Sequence, residues 1–194
     1  MRLFLFNPDQ PFSLSDIANR AKVKTAAVKK ELSVLKNAHM IHVKRFMRIL
    51  ETVKLGKPKV TKKWEGGWVL NQSFPYMSQL QNLLIYTVFV KPDELVRRLS
   101  VAGKVKLVII AGVFIQDTDS RIDILVVADH LKDGQLSNAI KNLEAEIGKE
   151  LKYAAFETPD FQYRLGMYDK LVRDVLDYPH TTIYDKIGVY ERKV

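Results

Sequence analysis

The hydrophobic pattern of the first forty residues predicts two short helices joined by a tight turn. The first apolar stripe has the three- and four-residue spacing of an amphipathic helix and consists of Leu14, Ile17, Ala18 and Ala21. Ser13, with Asp16 three residues later, is typical of an N-terminal capping box. Residues 22–24 form the connection, and Thr25 is the predicted N-cap of the second helix, which extends to about Ala38.

The second helix has one apolar face and one polar face. The apolar positions are Val28, Leu32 and Leu35, and the outward positions are Ala26, Lys29, Lys30, Ser33 and Asn37. Two capped helices with so short a turn are typical of a helix-turn-helix unit, whose second helix enters the DNA major groove with small and basic residues outward. The alternative is an ordinary amphipathic helix pair with solvated lysines.

Two β-rich segments follow, at residues 39–50 and 64–71, and they predict the two strands of a hairpin. The stretch between them, Lys54–Lys63, holds five lysines together with Gly56 and Pro58. A segment so charged is expected to form an extended, mobile loop. Such a loop can contact phosphates with salt-dependent affinity and little base specificity.

The second half of the chain is centred on two apolar runs that predict buried strands. Leu107–Ile110 is the first run, and Ile122–Val127 is the second, interrupted only by Asp123. Burying a carboxylate is costly unless it binds something or lies at an exposed strand end. Asp123 is therefore the first candidate functional residue in this half.

The surrounding elements are predicted from the same periodicities. Helices are expected near residues 76–88, 94–102, 136–150, from Thr158 onward and at 168–176, with a third strand at 151–156. The aromatic residues of this region are predicted to be core rather than base-stacking surfaces; they are Tyr153, Phe156, Phe161, Tyr163 and Tyr168.

Charge separates the two halves of the 194-residue chain. Residues 1–90 carry 15 Lys/Arg and 5 Asp/Glu, whereas the remainder carries 16 and 17, so the excess of the +9 net charge lies in the first half. This distribution indicates a domain that binds a polyanion. The chain has no cysteine, no apolar run of about 18 residues and no histidine spacing typical of zinc, so we expect a cytoplasmic protein with no metal, no cofactor and no membrane contact.

The order of segments from Phe12 to Asn71, with Trp68-Val69-Leu70-Asn71 at the exit, resembles the winged helix-turn-helix of bacterial and archaeal transcription regulators. The resemblance implies double-stranded DNA as the partner, and the helix-turn-helix habit of reading paired half-sites implies a homodimer. The residues expected to contact DNA are Lys22, Lys24, Thr25, Ala26, Lys29, Lys30, Ser33, Arg45, Arg48, Lys57, Lys59, Lys62 and Lys63.

Residues 104–187 resemble the minimal nucleotidyltransferase fold of the polymerase-β-like superfamily. The resemblance rests on Gly112 and on Ser120–Val127, which reads S-R-I-D-I-L-V-V. In that family a Gly-Ser turn holds the triphosphate and an Asp-x-Asp pair holds two magnesium ions. Here Val113 stands in place of the serine and Arg121 in place of the first aspartate, which leaves Asp123 alone. Because two-metal phosphoryl transfer needs several carboxylates, the motif of Gly112, Val113, Arg121 and Asp123 predicts a vestigial site with no catalytic residue.

We therefore expect an α+β protein: a winged helix-turn-helix at residues 1–74, connecting helices at 75–103, and an α/β nucleotidyltransferase-like domain with a small mixed sheet at 104–194. The predicted function is DNA-binding transcriptional regulation, with the second domain used for dimerisation, partner binding or ligand binding. Two alternatives remain: an active nucleotidyltransferase acting on nucleic acid or protein, and an antitoxin-like module whose role is contact with a protein partner.

Overall fold

The computed structural model describes residues 1–54, 57–84, 91–117 and 119–189, with the backbone alone for residues 50–54 and 57–59. It is a mixed α+β structure that divides into two compact units. The first unit comprises Met1–Ile85 with Ala145–Lys149, and the second comprises Tyr86–Glu144 with Glu150–Val194. Each unit has its own hydrophobic core.

The first unit begins with three helices. They are α1 (Arg2–Phe6), α2 (Leu14–Ala21) and α3 (Thr25–Asn37). Ser13 caps α2 in the predicted capping box with Asp16, and α2 ends at Lys22, whose backbone is left-handed with φ of 53°. The predicted apolar face of α3 is confirmed, since Val28, Leu32 and Leu35 are all buried.

A long antiparallel hairpin completes the first unit, followed by one helix. Its strands are β1 (Ile41–Lys54) and β2 (Lys57–Leu70), and the helix is α4 (Met77–Leu84). The hairpin contributes to the core only near its base, where Met40, Ile41 and Leu70 are buried and Trp68 is partly buried. Phe12 pairs with Trp68 as an isolated bridge, so the segment before α2 lies along β2.

Two local predictions for this unit were wrong. Thr25 is not the N-cap of α3: it is the first helical residue, and the N-cap is Lys24, whose side chain makes no capping hydrogen bond. The predicted lysine loop is mostly strand, because β1 continues to Lys54 and β2 begins at Lys57. Pairing between the strands therefore outweighs the preference of a segment rich in Lys, Gly and Pro for a loop conformation. Residues 55–56 of the predicted loop lie outside the described residues.

The second unit is built on a four-stranded mixed sheet in the order β5-β4-β3-β6. The strands are β3 (Lys104–Ile110), β4 (Ile124–Asp129), β5 (Tyr153–Glu157) and β6 (Thr181–Asp185). β3 pairs antiparallel with β4 and β6, whereas β4 and β5 are parallel. The apolar runs of the two central strands are buried as predicted, at Leu107–Ile109 in β3 and at Ile124–Ala128 in β4.

The second unit also contains helices. They are α5 (Pro92–Leu99), which leads into a short 3-10 turn at Ser100–Ala102, α6 (Asp133–Ile147), whose last residues from Ala145 belong to the first unit, α7 (Thr158–Gly166) and α8 (Lys170–Asp177). The predicted helix at residues 76–88 matches α4 as far as Leu84, and residues 85–88 lie outside the described residues. β6 was not predicted.

The prediction that all five aromatic residues of this region are core was wrong for the tyrosines. Phe156 and Phe161 are buried, but Tyr153, Tyr163 and Tyr168 are exposed. A tyrosine can place its ring against the surface and its hydroxyl in water, so local spacing does not decide its burial.

Among the described residues, no helix has both the length and the apolar character needed to cross a membrane.

Candidate functional site

The outward face of α3 is the first candidate site, and it belongs to the first unit. Ala26, Lys29, Lys30 and Ser33 lie at i, i+3, i+4 and i+7, on the side of the helix opposite its buried residues, and all four are exposed. The Ser33 hydroxyl donates a hydrogen bond to the backbone carbonyl of Lys29 at 3.1 Å. Its oxygen can still accept, so the face offers small side chains, two ammonium groups and one hydroxyl.

Further cations lie at the N-terminal end of α3. Lys22 is the left-handed C-cap of α2, and Lys24 is the N-cap of α3; both are exposed, as is Thr25. The turn between the helices therefore brings two ammonium groups next to a helix N-terminus. This combination favours negatively charged groups.

The hairpin carries more of the predicted cations. Arg45 on β1 and Lys62 and Lys63 on β2 are exposed. Lys57 and Lys59 lie on β2, but their side chains are outside the described part of the structure.

The guanidinium of Arg48, another of the predicted DNA-binding cations, is held in ion pairs. It contacts the carboxylate of Asp16 closely, lies 2.9 Å from Glu65 Oε2, and donates to Ser13 Oγ at 3.2 Å. Two carboxylates neutralise its charge. The geometry therefore assigns Arg48 to holding the hairpin against the N-terminus of α2.

This cluster lowers the pKa of Asp16. Burial of the carboxyl acts in the opposite direction, but hydrogen bonds from the hydroxyl and the backbone N–H of Ser13, together with the Arg48 guanidinium, favour the ionised form more strongly. The sequence showed the capping box but gave no sign of Arg48, which is brought to it from 32 residues away.

The segment predicted to be a vestigial nucleotidyltransferase motif is the second candidate site, and it belongs to the second unit. Asp123 is 6% exposed and precedes β4. Its Oδ1 accepts a hydrogen bond from Val113 N–H and its Oδ2 from Lys152 N–H, each at 2.8 Å. The carboxylate is thus enclosed and satisfied by backbone groups.

The turn at Gly112 is filled by this same carboxylate. Gly112 has a φ of 51°, and a Cβ atom added there would collide with Asp123 Oδ1. The space inside this turn is therefore occupied by the protein's own anion.

Arg121 lines a cavity together with Asp174. Its Nη1 is 2.8 Å from Asp174 Oδ2, an oxygen that has ion-pair contact but no aligned hydrogen bond. The cavity has a volume of about 270 Å³ and is lined by Asp117, Asp119, Ser120, Arg121, Ile122, Asp174, Val175 and Tyr178. With three carboxylates and one guanidinium among these residues, the lining is net negative, which disfavours a free phosphate.

Within the described part of the chain, no three His, Asp or Glu side chains are grouped so that they could hold a metal ion.

One further surface was not anticipated from the sequence. Trp64 and Met47 are directly paired across the hairpin and both are exposed. The strand alternation of Val43, Arg45, Met47 and Ile49 was visible in the sequence, but the length of the hairpin that leaves them uncovered was not.

The chain matches no protein-family model, no curated protein and no solved structure, so its function has to be inferred from the two units themselves.

Proposed function

We propose that the first unit is a winged helix-turn-helix domain that binds double-stranded DNA and that the protein is a transcriptional regulator. The observation that carries this proposal is the outward face of α3, where small and basic side chains lie on one exposed surface after a tight turn. A recognition helix needs such a surface, because bulky or acidic residues would prevent close approach to base edges and phosphates.

Each exposed residue has a distinct role in this proposal. Ala26, Lys29, Lys30 and Ser33 approach base edges in the major groove, and Thr25 lies at the helix start beside the backbone. Lys22 and Lys24 at the turn, with Arg45, Lys62 and Lys63 on the hairpin, contact phosphates. Arg48 does not bind DNA directly and instead fixes the hairpin through Asp16 and Glu65.

For the second unit we propose a nucleotidyltransferase-like fold that no longer transfers nucleotides. The enclosure of Asp123 supports this, because both oxygens of its carboxylate accept hydrogen bonds from backbone N–H groups. Arg121 supports it as well, because a cation stands in place of a metal ligand and its guanidinium is paired with Asp174. The remaining roles are dimerisation, protein contact, or ligand binding in the cavity beside Arg121. A homodimer is the form we propose, since paired half-sites raise both affinity and specificity; a solution mass equal to one chain would contradict it.

The proposal is tested by duplex affinity measured across a salt series for three proteins. Lys29→Ala/Lys30→Ala removes two cations from α3, and Lys141→Ala/Lys170→Ala removes the same charge from exposed positions of the second unit. We expect the α3 variant to bind more weakly and to lose up to about two units from the slope of log affinity against log salt. The control should bind like the wild type.

Equal weakening of the two double variants would mean that net charge alone drives binding, and the role assigned to α3 would be wrong. If duplex does not bind at all, and metal-dependent transfer of a labelled nucleotide is found instead, the enzyme alternative replaces the proposal.

A further inference from the structure

One face of the hairpin exposes a stripe of apolar side chains. Residues directly paired in an antiparallel sheet share a face, and four successive rows on this face are Val43/Trp68, Arg45/Gly66, Met47/Trp64 and Ile49/Lys62. The next row towards the tip is Glu51/Val60, in which the side chain of Glu51 lies outside the described part of the structure. Val43, Met47, Ile49 and Trp64 are all exposed, and Trp64 keeps 62% of its surface accessible. Beyond the first row, none of these residues belongs to the core cluster of the unit.

An exposed tryptophan beside a methionine is costly in water and marks a surface that contacts something. Two cations lie in the rows on either side of Trp64: Arg45 on the side of the base and Lys62 on the side of the tip. Neighbouring rows on one face are about 7 Å apart. Among the described side chains, neither Arg45 nor Lys62 forms an ion pair with a carboxylate, so both remain available to an anion.

The charges of Arg45 and Lys62 indicate which kind of molecule this face can bind. A second copy packed with its Trp64 against this Trp64 would bring the same cations against Arg45 and Lys62, and like charges repel. A protein interface needs a contiguous core from which lysine is depleted, whereas here the apolar rows are interrupted by cations. Single-stranded nucleic acid fits better, because it alternates planar bases, which stack on aromatic rings, with phosphates, which pair with cations.

We propose that this face binds single-stranded nucleic acid, with an unpaired base stacked on the indole of Trp64 and the flanking phosphates contacted by Arg45 and Lys62. Met47 supports the ring from the opposite strand. This activity goes beyond duplex binding by α3, because it depends on Trp64 and Met47, which have no role in the duplex proposal, whereas Arg45 and Lys62 would contact phosphates in both.

The test measures anisotropy of labelled oligonucleotides of about 12 nucleotides with the full chain. Oligo(dT) and oligo(U) distinguish DNA from RNA, and an abasic strand of equal length keeps the phosphates while removing the bases. We expect oligo(dT), oligo(U) or both to bind more tightly than the abasic strand. Trp64→Ala should weaken that binding about 5- to 150-fold, whereas Trp64→Phe should retain most of it.

The same variants separate this proposal from the one for α3. Lys29→Ala/Lys30→Ala should lose duplex binding and keep oligonucleotide binding, and Trp64→Ala should do the reverse. Lys62→Gln should reduce the salt slope for the oligonucleotide by about 0.7, the value for one phosphate contact on a single strand.

Three outcomes would overturn the proposal. The first is equal affinity for the base-containing and abasic strands, and the second is oligonucleotide binding that Trp64→Ala leaves unchanged. The third is a Trp64-dependent change of solution mass, or Trp64-dependent binding to anionic phospholipid vesicles, without base-dependent binding; this would assign the stripe to self-association or to a membrane surface.

Discussion

The carboxylate of Asp123 joins two backbone segments of the second unit. One segment is the turn at Val113, and the other is the entry to β5 at Lys152, which lies 29 residues away in the chain. Because each oxygen accepts from a different segment, the side chain acts as a bridge between the turn and the sheet. Its role in this geometry is to hold the fold, and the neighbouring Gly112 leaves room for it.

Asp123→Asn should therefore destabilise the second unit. The amide NH2 cannot accept a hydrogen bond, so one of the two backbone N–H groups is left buried without a partner, at a cost of about 1–3 kcal/mol. Hydrogen exchange should show faster exchange at the amides of Val113 and Lys152. Asp119→Asn, at an exposed position of the preceding loop, is the matched control. In this variant the amides of Val113 and Lys152 should exchange at the wild-type rate.

If Asp123→Asn abolished a nucleotide-transfer activity while leaving exchange at both amides unchanged, Asp123 would be a catalytic residue and the structural role would be wrong.

Because of Asp16, we expect the stability of the first unit to depend on pH in the acid range. Its pKa in the folded protein is lower than its ordinary value of about 3.9, so its contribution to stability is complete above about pH 5 and is lost as pH falls through the folded pKa. We expect Asp16→Asn to reduce the free energy of unfolding near neutral pH. The difference from wild type should shrink progressively below about pH 4.

Urea unfolding followed by tryptophan fluorescence measures this directly, because both tryptophans of the chain, Trp64 and Trp68, are in the first unit. A difference between the two proteins that stays constant from pH 7 to pH 3 would show that ionised Asp16 does not stabilise the cluster with Ser13 and Arg48.

At the scale of elements, the hairpin is positioned by close backbone packing at its base. Phe12 N–H donates to the Trp68 carbonyl, and Trp68 N–H donates to the Phe12 carbonyl, each at 2.9 Å. Gly67, next to this bridge, has no room for a side chain: a Cβ atom there would lie 2.5 Å from the Phe12 carbonyl oxygen and 2.7 Å from the Phe46 ring. Gly66, its neighbour, has nothing within 4 Å of the same position.

This pair of glycines provides a matched test of the packing. Gly67→Ala should destabilise the first unit by about 1–3 kcal/mol, because backbone must move to accept the methyl group, whereas Gly66→Ala should be close to neutral. The measurement is again urea unfolding followed by fluorescence. Equal stability of the two variants would contradict the contact between the Phe12 segment and β2.

Local patterns predicted the elements whose determinants lie close together in the chain. The capping box at Ser13, the buried face of α3 and the two central strands of the sheet were all confirmed. The lysine segment was assigned wrongly because its strand state depends on pairing, such as Thr61 with Leu50, rather than on composition. β6 was missed for a related reason, since its partner β3 lies more than 70 residues earlier.

The candidate sites also divide into residues that local spacing predicts and residues that are brought together from distant parts of the chain. The residues on the outward face of α3 could be named from helical spacing alone. The ion pairs of Arg48 could not, because they join β1 to α2 and β2. The enclosure of Asp123 could not be predicted either, because it requires Lys152 to be brought to the start of β4 by parallel pairing of β4 and β5.

Over the whole chain, the excess positive charge is confined to the first half. Residues 1–90 carry a net charge of +10, from 15 Lys/Arg and 5 Asp/Glu, and the remaining residues are nearly neutral. Long-range attraction to a polyanion is therefore concentrated in the region of α2, α3 and the hairpin. The cavity described in the second unit has a net-negative lining, which disfavours a polyanion there.

Selection from a randomised pool of duplexes tests whether α3 reads the sequence of DNA. We expect the wild-type protein to enrich one consensus. Lys30→Ala, which removes a side chain assigned to base edges, should relax that consensus at particular positions, whereas Lys24→Ala, assigned to a phosphate, should weaken binding without changing the consensus. Enrichment of no consensus by the wild type, or of the same consensus by wild type and Lys30→Ala, would contradict the reading of bases by α3.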